Sequence, residues 1–210
     1  MRIVKSSLAF VLIFAATSFA QDKKWAIGPH LMFSIPQGKF NDVSNTGEGL
    51  GGKVLKRISS LNSISARLDI SYLSYGDKRS SDIFGYLVTT RNESFQLTVG
   101  PQLNVNSGII GFYLAPMGGV FNYRIVTSDE FASYYYGYPV TRTESSKTKL
   151  GWNISGGATA DIGLGPLIDV GFKYQSINNA VTIKTEEDSY QTDAKDFVVT
   201  VGIIFNLKND

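Results

Sequence analysis

The sequence predicts an all-β fold, an eight-stranded antiparallel transmembrane β-barrel with up-and-down meander topology. Three observations support this prediction. Apolar and polar residues alternate along eight segments, as they do in strands with one apolar face. Long and short connections alternate between these segments, as in barrels that cross a bacterial outer membrane. The 210-residue chain is also rich in Gly (21), Tyr (11) and Phe (13), and no segment has a sustained helical period.

Residues 1–20 resemble a secretory signal peptide. Arg2 and Lys5 form a basic start, and the apolar run 8–16 is too short to span a bilayer. Small residues at Ser18 and Ala20 then provide a cleavage site. We therefore expect a mature outer-membrane β-barrel domain over residues 21–210. A retained N-terminal anchor is the alternative, and the polar segment that follows directly argues against it.

Composition excludes several classes of function. The full chain carries 20 Lys plus Arg and 18 Asp plus Glu, and the first twenty residues hold two of the basic residues and no acidic one. The predicted mature chain is therefore formally neutral, which argues against nucleic acid as a partner. The absence of cysteine excludes disulfides, thiolate metal sites and a cysteine-linked lipid anchor. We expect no cofactor.

The first four predicted strands each have one apolar and one polar face. In the fourth, Phe95, Leu97 and Val99 alternate with Gln96 and Thr98. The second strand has the weakest alternation. These four strands cover residues 25–35, 50–58, 64–72 and 95–105.

The last four predicted strands include one that the pattern cannot orient. The fifth, from about Ile109 to Arg124, is apolar on both faces. The other three alternate clearly, as in the eighth, where Val199 and Val201 flank Thr200. They cover residues 149–162, 168–175 and 197–207.

The connections predict how the barrel is oriented. Three are short, at 59–63, 106–108 and 163–166, and four are long, at 36–49, 76–93, 125–148 and 176–194. Outer-membrane barrels have short periplasmic turns and longer extracellular loops. We therefore expect the four long loops outside the cell and both chain ends on the periplasmic side.

The alternation alone also fits a soluble barrel or sandwich, in which the apolar face lines the core. Two features favour a barrel surrounded by outer-membrane lipid. The polar faces contain Gly, Ser, Thr, Asn and Gln rather than the Lys and Glu of a solvated face. Aromatic residues also recur near strand ends, as in the two interfacial girdles of membrane barrels. They are Trp25, Phe33, Tyr72, Phe95, Trp152, Tyr174, Phe197 and Phe205.

The chain resembles a known family along most of its predicted mature length. The first strand, the following segment Pro36-Gln37-Gly38-Lys39-Phe40 and the segment Val99-Gly100-Pro101-Gln102-Leu103 are similar to the PorT-like outer-membrane β-barrels of Bacteroidetes. The resemblance implies an eight-stranded barrel, usually without assigned activity. The chain departs from many outer-membrane proteins at its C-terminus, where five residues follow the aromatic Phe205.

His30 is the only histidine and therefore the first residue to consider for catalysis. Some eight-stranded lipid A deacylases place a His and a Ser two residues apart on one strand face. Here Met32 stands at that spacing, and Ser34 is four residues away. We expect His30 to be a lumen-facing polar residue, and we expect neither catalytic nor metal-binding residues.

A set of seven charged residues is predicted to face inward. A barrel of eight strands has an interior about wide enough for side chains alone, and buried charges must be paired. We therefore expect a packed, neutralised network, with a selective conducting lumen as the alternative. The seven are Lys53, Arg57, Arg67, Asp69, Asp161, Asp169 and Lys173.

Four tyrosines in the third long loop form a candidate interaction surface: Tyr134, Tyr135, Tyr136 and Tyr138. Tyrosine combines a large rigid contact area with a hydroxyl group, which suits recognition of a protein or glycan. In the alternative interpretation, they extend strands five and six above the membrane and belong to the outer aromatic girdle. Both interpretations stay open.

The sequence predicts a monomeric, non-enzymatic barrel with a structural or interaction role, and with its extracellular loops as the binding surface. Three alternatives stay open. The barrel could be an envelope enzyme that modifies lipid, a narrow pore, or a secreted soluble barrel that binds a lipid.

Overall fold

A computed structural model describes residues 25–58, 63–81, 87–129, 140–163, 165–184 and 189–207. The predicted signal peptide and the four tyrosines of the third loop lie outside these ranges. No helix among the described residues is long and apolar enough to cross a membrane.

The described residues form nine antiparallel β-strands and one short 3-10 helix. The helix, Gly38–Asp42, follows the first strand. The strands are β1 Trp25–Gln37, β2 Gly47–Arg57, β3 Ile64–Tyr75, β4 Lys78–Ser81, β5 Leu87–Ser107, β6 Ile110–Asp129, β7 Val140–Asp161, β8 Leu167–Lys184 and β9 Ser189–Asn206.

The strands close into a barrel with eight positions. Consecutive strands pair as a meander, and β1 pairs with both β2 and β9, which joins the two ends of the sheet. β3 pairs with β5 over Ile64–Ser74, and the short β4 continues that pairing further along β5. β3 and β4 therefore share one position, and the predicted eight-stranded antiparallel barrel is confirmed.

The two ends of the barrel differ. One end, here called the turn end, carries the short connections and both termini of the wall, where Leu207 N donates to Trp25 O at 3.0 Å. Gly108, with φ of 63°, lies in the two-residue connection between β5 and β6, a conformation that glycine adopts without strain. The other end, here called the hairpin end, carries the remaining four connections.

Three of the predicted long loops are wrong in extent. β5 begins at Leu87, β6 and β7 reach Asp129 and Val140, and β8 and β9 are paired as far as Lys184 and Ser189. Most of the segments 76–93, 125–148 and 176–194 is therefore strand. These upper parts of the hairpins are mostly polar, so they lack the apolar alternation on which the prediction depended.

Side chains alternate between the lumen and the outer surface as predicted. Leu68, Leu97, Ile154 and Val201 point outward and are exposed. The structure also orients the fifth predicted strand, now β6: Phe112 and Leu114 point outward, whereas Tyr113, Phe121 and Tyr123 are buried inside the barrel. That strand is apolar on both faces because its outward side chains are apolar and its inward aromatic side chains pack against other residues inside the lumen.

The outward aromatic residues fall into two levels. Near the hairpin end, Tyr72 lies opposite Phe95, and Tyr174 opposite Phe197. The rings of Trp152 and Tyr174 are 5.9 Å apart. Near the turn end lie Trp25 and Phe205, at the start of β1 and the end of β9. This arrangement is typical of the interfacial girdles of membrane barrels.

Candidate functional site

The middle of the lumen contains two buried ion pairs. Lys53 Nζ on β2 lies 2.7 Å from Asp169 Oδ2 on β8, across the lumen. Arg67 binds Asp69 on the same strand through two hydrogen bonds, Nε to Oδ1 at 2.8 Å and Nη2 to Oδ2 at 2.7 Å. Arg67 and Asp69 can meet because residues two apart on a strand share a face. All four side chains are at most 5% exposed.

An aromatic ring lies beside both cations. The ring centroid of Tyr113 on β6 is 4.9 Å from Lys53 Nζ and 5.4 Å from Arg67 Cζ. Both distances are within the range of a cation–π contact. The ring therefore helps to hold the two ion pairs in a water-poor interior.

Neutral polar side chains extend the network around the wall. Arg67 Nη1 donates to Gln102 Oε1 at 3.2 Å, and Gln102 Nε2 donates to Asn104 Oδ1 at 2.7 Å. Lys173 Nζ on β8 donates to Gln96 Oε1 on β5 at 3.2 Å. The sequence predicted Lys173 to face inward, and the structure gives it this neutral acceptor.

Asp196 belongs to the network although the sequence interpretation omitted it. Its Oδ2 accepts hydrogen bonds from Ser34 Oγ and Tyr75 OH, both at 2.6 Å. The predicted eighth strand begins at Phe197, one residue after Asp196, whereas β9 begins at Ser189. The alternation of Val198 and Thr200 continued by one step places Asp196 inside. Among the described residues, three buried cations then balance three buried carboxylates: Lys53, Arg67 and Lys173 against Asp69, Asp169 and Asp196.

Two residues of the predicted inward set do not join it. Arg57 and Asp161 are exposed at the turn end. Their position in the alternation is correct, but β2 ends at Arg57 and β7 ends at Asp161, where the lumen opens to solvent. Asp161 instead accepts a hydrogen bond from Gly163 N at 2.8 Å and stabilises the turn to β8.

The connection between β1 and β2 folds into the lumen at the hairpin end. Phe40, in the 3-10 helix, is fully buried, and its ring lies edge-on to Tyr75 and Tyr123, with centroids 5.0 and 6.1 Å away. Apolar residues of five strands surround it. The cluster, here called the Phe40 plug, contains Met32, Phe40, Leu73, Tyr75, Phe121, Tyr123, Ile177, Ala180, Ala194 and Val198.

Hydrogen bonds from the wall fix this connection in place. Asn92 Nδ2 on β5 donates to Val43 O at 2.8 Å and to Ser44 Oγ at 2.6 Å. Gly76 N donates to Thr46 O at 2.9 Å. The first of the four predicted loops is therefore an inward plug rather than a free extracellular loop, a role that hydrophobic periodicity could not reveal.

A smaller apolar cluster lies inside the turn end. Ala26, Leu55 and Ile204 are buried there, and the partly buried Leu167 packs against them. The described lumen is thus filled at three levels, with ion pairs and polar side chains between two apolar clusters.

His30 lies within the polar level and is 7% exposed. Its Nδ1 is 3.3 Å from Gly28 O. Met32, two residues along, belongs to the Phe40 plug, and Ser34 binds Asp196. The described residues contain no cluster of three or more His, Cys, Asp or Glu able to hold a metal ion.

The outer surface of the hairpin end carries a different kind of ion pair. Arg91 on β5 donates from Nε to Asp77 Oδ1 at 2.7 Å and from Nη2 to Oδ2 at 3.0 Å. Both side chains are more than 40% exposed. The hydrogen bond from Arg91 and the charge of Asp77 raise the pKa of the guanidinium.

Comparison with known proteins identifies the family. A profile of the outer membrane protein β-barrel domain matches residues 6–205, almost the whole chain. The chain belongs to this family. It is therefore a small outer-membrane β-barrel protein, and the PorT-like resemblance is supported at this broader level only. Among curated proteins, none matches the chain significantly.

Comparison with solved structures finds similar proteins at low sequence identity. Neisserial surface protein A (NspA) has a TM-score of 0.53 and 11% identity, with 87% of this chain and 96% of NspA covered. Ail, the attachment invasion locus protein of Yersinia pestis, has a TM-score of 0.45 and 16% identity, with 87% of this chain and 97% of Ail covered. At such identities, the likeness to NspA supports the fold alone.

Proposed function

We propose that the protein is a non-enzymatic outer-membrane barrel with a structural or interaction role, and that its hairpin end faces outside the cell and binds a protein or glycan. The observation that carries this proposal is the filled lumen. Two apolar clusters and a charge-balanced polar network occupy the interior of the described barrel. The surface left for recognition is the set of hairpins that rise beyond the lumen.

Two further expectations from the sequence belong to this proposal. Residues 1–20 would be removed on export, leaving residues 21–210 as a monomeric barrel. Tyr134, Tyr135, Tyr136 and Tyr138 would lie at or near the tip of the β6–β7 hairpin, where they suit recognition of a partner.

The experiment is complementation of a deletion strain. One strain carries the intact chain, a second carries a chain whose tips at 82–86, 130–139 and 185–188 are replaced by short Gly-Ser linkers, and a third carries such a linker only at 59–62. An interaction role predicts that trimming the hairpin tips abolishes adherence of cells to protein or glycan surfaces, whereas the turn-end linker has no effect. Full adherence of the trimmed strain would contradict the interaction role, and detergent resistance reports the structural role separately.

The alternative function, an envelope enzyme that modifies lipid, can be tested directly. Purified protein is incubated with lipid A or phospholipid, and released fatty acid is measured for the intact protein and for His30→Ala. We expect no release. Suppose that the intact protein releases fatty acid and that His30→Ala abolishes this release while the barrel still shows heat-modifiable gel mobility. The protein would then be an enzyme, contrary to the proposal.

A further inference from the structure

The barrel wall is much taller on one side than on the other. β5, β6 and β7 contain 21, 20 and 22 residues, whereas β1, β2 and β3 contain 11 to 13. Beyond the lumen, β4, β5, β6 and β7 remain paired in one sheet. This rising sheet has one edge at β4 and the other at β7.

Among the described strands, none lies beside the β7 edge. Residues 151–160 of β7 pair with both β6 and β8, but residues 140–143 and 145–150 pair only with β6 in the part of the chain that the structure describes, with a bulge at Glu144. At about 3.4 Å a residue, this edge is roughly 35 Å long. An edge of this length offers a row of backbone donors and acceptors to another strand.

The opposite edge is short and covered. β4 has four residues, and the connection 38–46 lies against the segment that leads into it. Asn45 Nδ2 donates to Asp77 O at 2.6 Å, and Lys78 Nζ donates to Asn41 O at 2.8 Å. The two edges of the rising sheet are therefore not equivalent, because the fold covers one and leaves the other open.

The register of β8 against β9 shifts just beyond Ile177, where the pairing of β8 with β7 also ends. This shift lies between Ile177 and Val181, and Asn179 adopts a positive φ of 48°. Ile177, Ala180 and Ala194 around the shift are buried in the Phe40 plug. This packing holds the base of the β8–β9 hairpin toward the lumen. The pairing of β7 with β8 therefore ends at Gly151 and does not extend into residues 140–150.

The sequence of the edge indicates what it would bind. Residues 140–150 contain no proline. A proline would remove one of the backbone N–H groups that could bond to an added strand. They include three basic residues, Arg142, Lys147 and Lys149, and one acidic residue, Glu144, a net charge of +2. A second copy in the same membrane would present the same strand in parallel, with like charges close together, which is destabilising.

We propose that the β7 edge, residues 140–150, binds an extended, acidic segment of a partner protein by taking it up as an additional strand. Main-chain hydrogen bonds would supply the affinity, and the opposite charge would favour acidic partners. This inference rests on the proposed interaction role and adds, to the contact made by the hairpin connections, a second contact at the strand edge.

The experiment measures amide hydrogen exchange by NMR in the refolded full chain, with three eleven-residue synthetic peptides. One alternates Glu with Thr or Val, the second replaces each Glu by Lys, and the third keeps the acidic charge but carries prolines. Alternate amides of residues 140–150 should exchange at least tenfold faster than those of 151–161 in the free protein. The first peptide should slow them at least tenfold, and the other two should leave them unchanged.

A charge-reversed variant tests the specificity. Lys147→Glu/Lys149→Glu should weaken binding of the acidic peptide at least tenfold and gain binding of the basic one. The control Lys39→Glu/Lys195→Glu reverses two basic residues off the edge at the hairpin end and should change either affinity less than threefold. The gain of binding to the basic peptide shows that the variant has folded.

Three results would overturn the proposal: peptide binding without protection of residues 140–150, equal protection by all three peptides, or protection that is complete before any peptide is added. The last result would mean that β8 closes the edge. None of these results changes the outcome of the adherence experiment with trimmed tips. That experiment therefore tests the broader interaction role independently of the β7 edge.

Discussion

Replacement of Lys53 by Met removes one partner of the ion pair that crosses the lumen. Lys53 Nζ and Asp169 Oδ2 are 2.7 Å apart, and the side chains are 2% and 0% exposed. Loss of Lys53 leaves a carboxylate in an interior where water cannot solvate it well. Breaking a buried pair in this way costs about 3–5 kcal/mol. We expect a loss of that size in the free energy of unfolding.

The chain offers a matched control on its surface. Arg91 and Asp77 are also 2.7 Å apart, but their side chains are 49% and 42% exposed. An exposed pair is worth about 0–1 kcal/mol, so Arg91→Met should have little effect. The double variant Lys53→Met/Asp169→Asn should recover part of the lost stability, because no unpaired buried charge remains.

The assay is urea titration of the refolded barrel in lipid vesicles, followed by the fluorescence of Trp25 and Trp152. A loss below 1 kcal/mol for Lys53→Met, equal to that for Arg91→Met, would refute the reasoning. It would show that water reaches Asp169 and that the middle of the lumen is open.

Two further predictions concern the outer surface and the plug. Arg in place of the outward Val99, near the middle of the strand, should cost about 2–4 kcal/mol in the same vesicles, against about 0–1 kcal/mol for Arg in place of Val105 near the turn end. Equal costs would contradict the lipid-facing band. Phe40→Ala should cost about 3–5 kcal/mol, because it leaves a cavity among fully buried neighbours. The outward Phe33→Ala is the control for the plug, and equal losses in urea titration would show that Phe40 does not pack inside the barrel.

The strand faces could be predicted because a strand alternates with period two. That rule places Lys53, Arg67, Asp69, Asp169 and Lys173 on the inner face without knowledge of the fold. The rule cannot predict which charges pair. Lys53 reaches Asp169 across the lumen, and the distance between them depends on how the barrel closes and on the register of its strands.

Other features were missed for different physical reasons. β6 could not be oriented because Tyr113 and Phe121 fill the lumen while equally apolar residues face outward. The burial of Phe40 depends on how its connection folds against Asn92 and Gly76. The upper parts of the hairpins lack apolar alternation, so they were predicted to be loops.

Planar-bilayer recording of the purified, unmodified protein tests the filled lumen most directly. The Phe40 plug, the paired charges and the apolar cluster at the turn end occupy the lumen of the described barrel at three levels. The account therefore predicts no stable single-channel steps at any applied voltage that the membrane tolerates. Long-lived, reproducible conductance steps from the intact barrel would contradict it and would favour the pore over the interaction role.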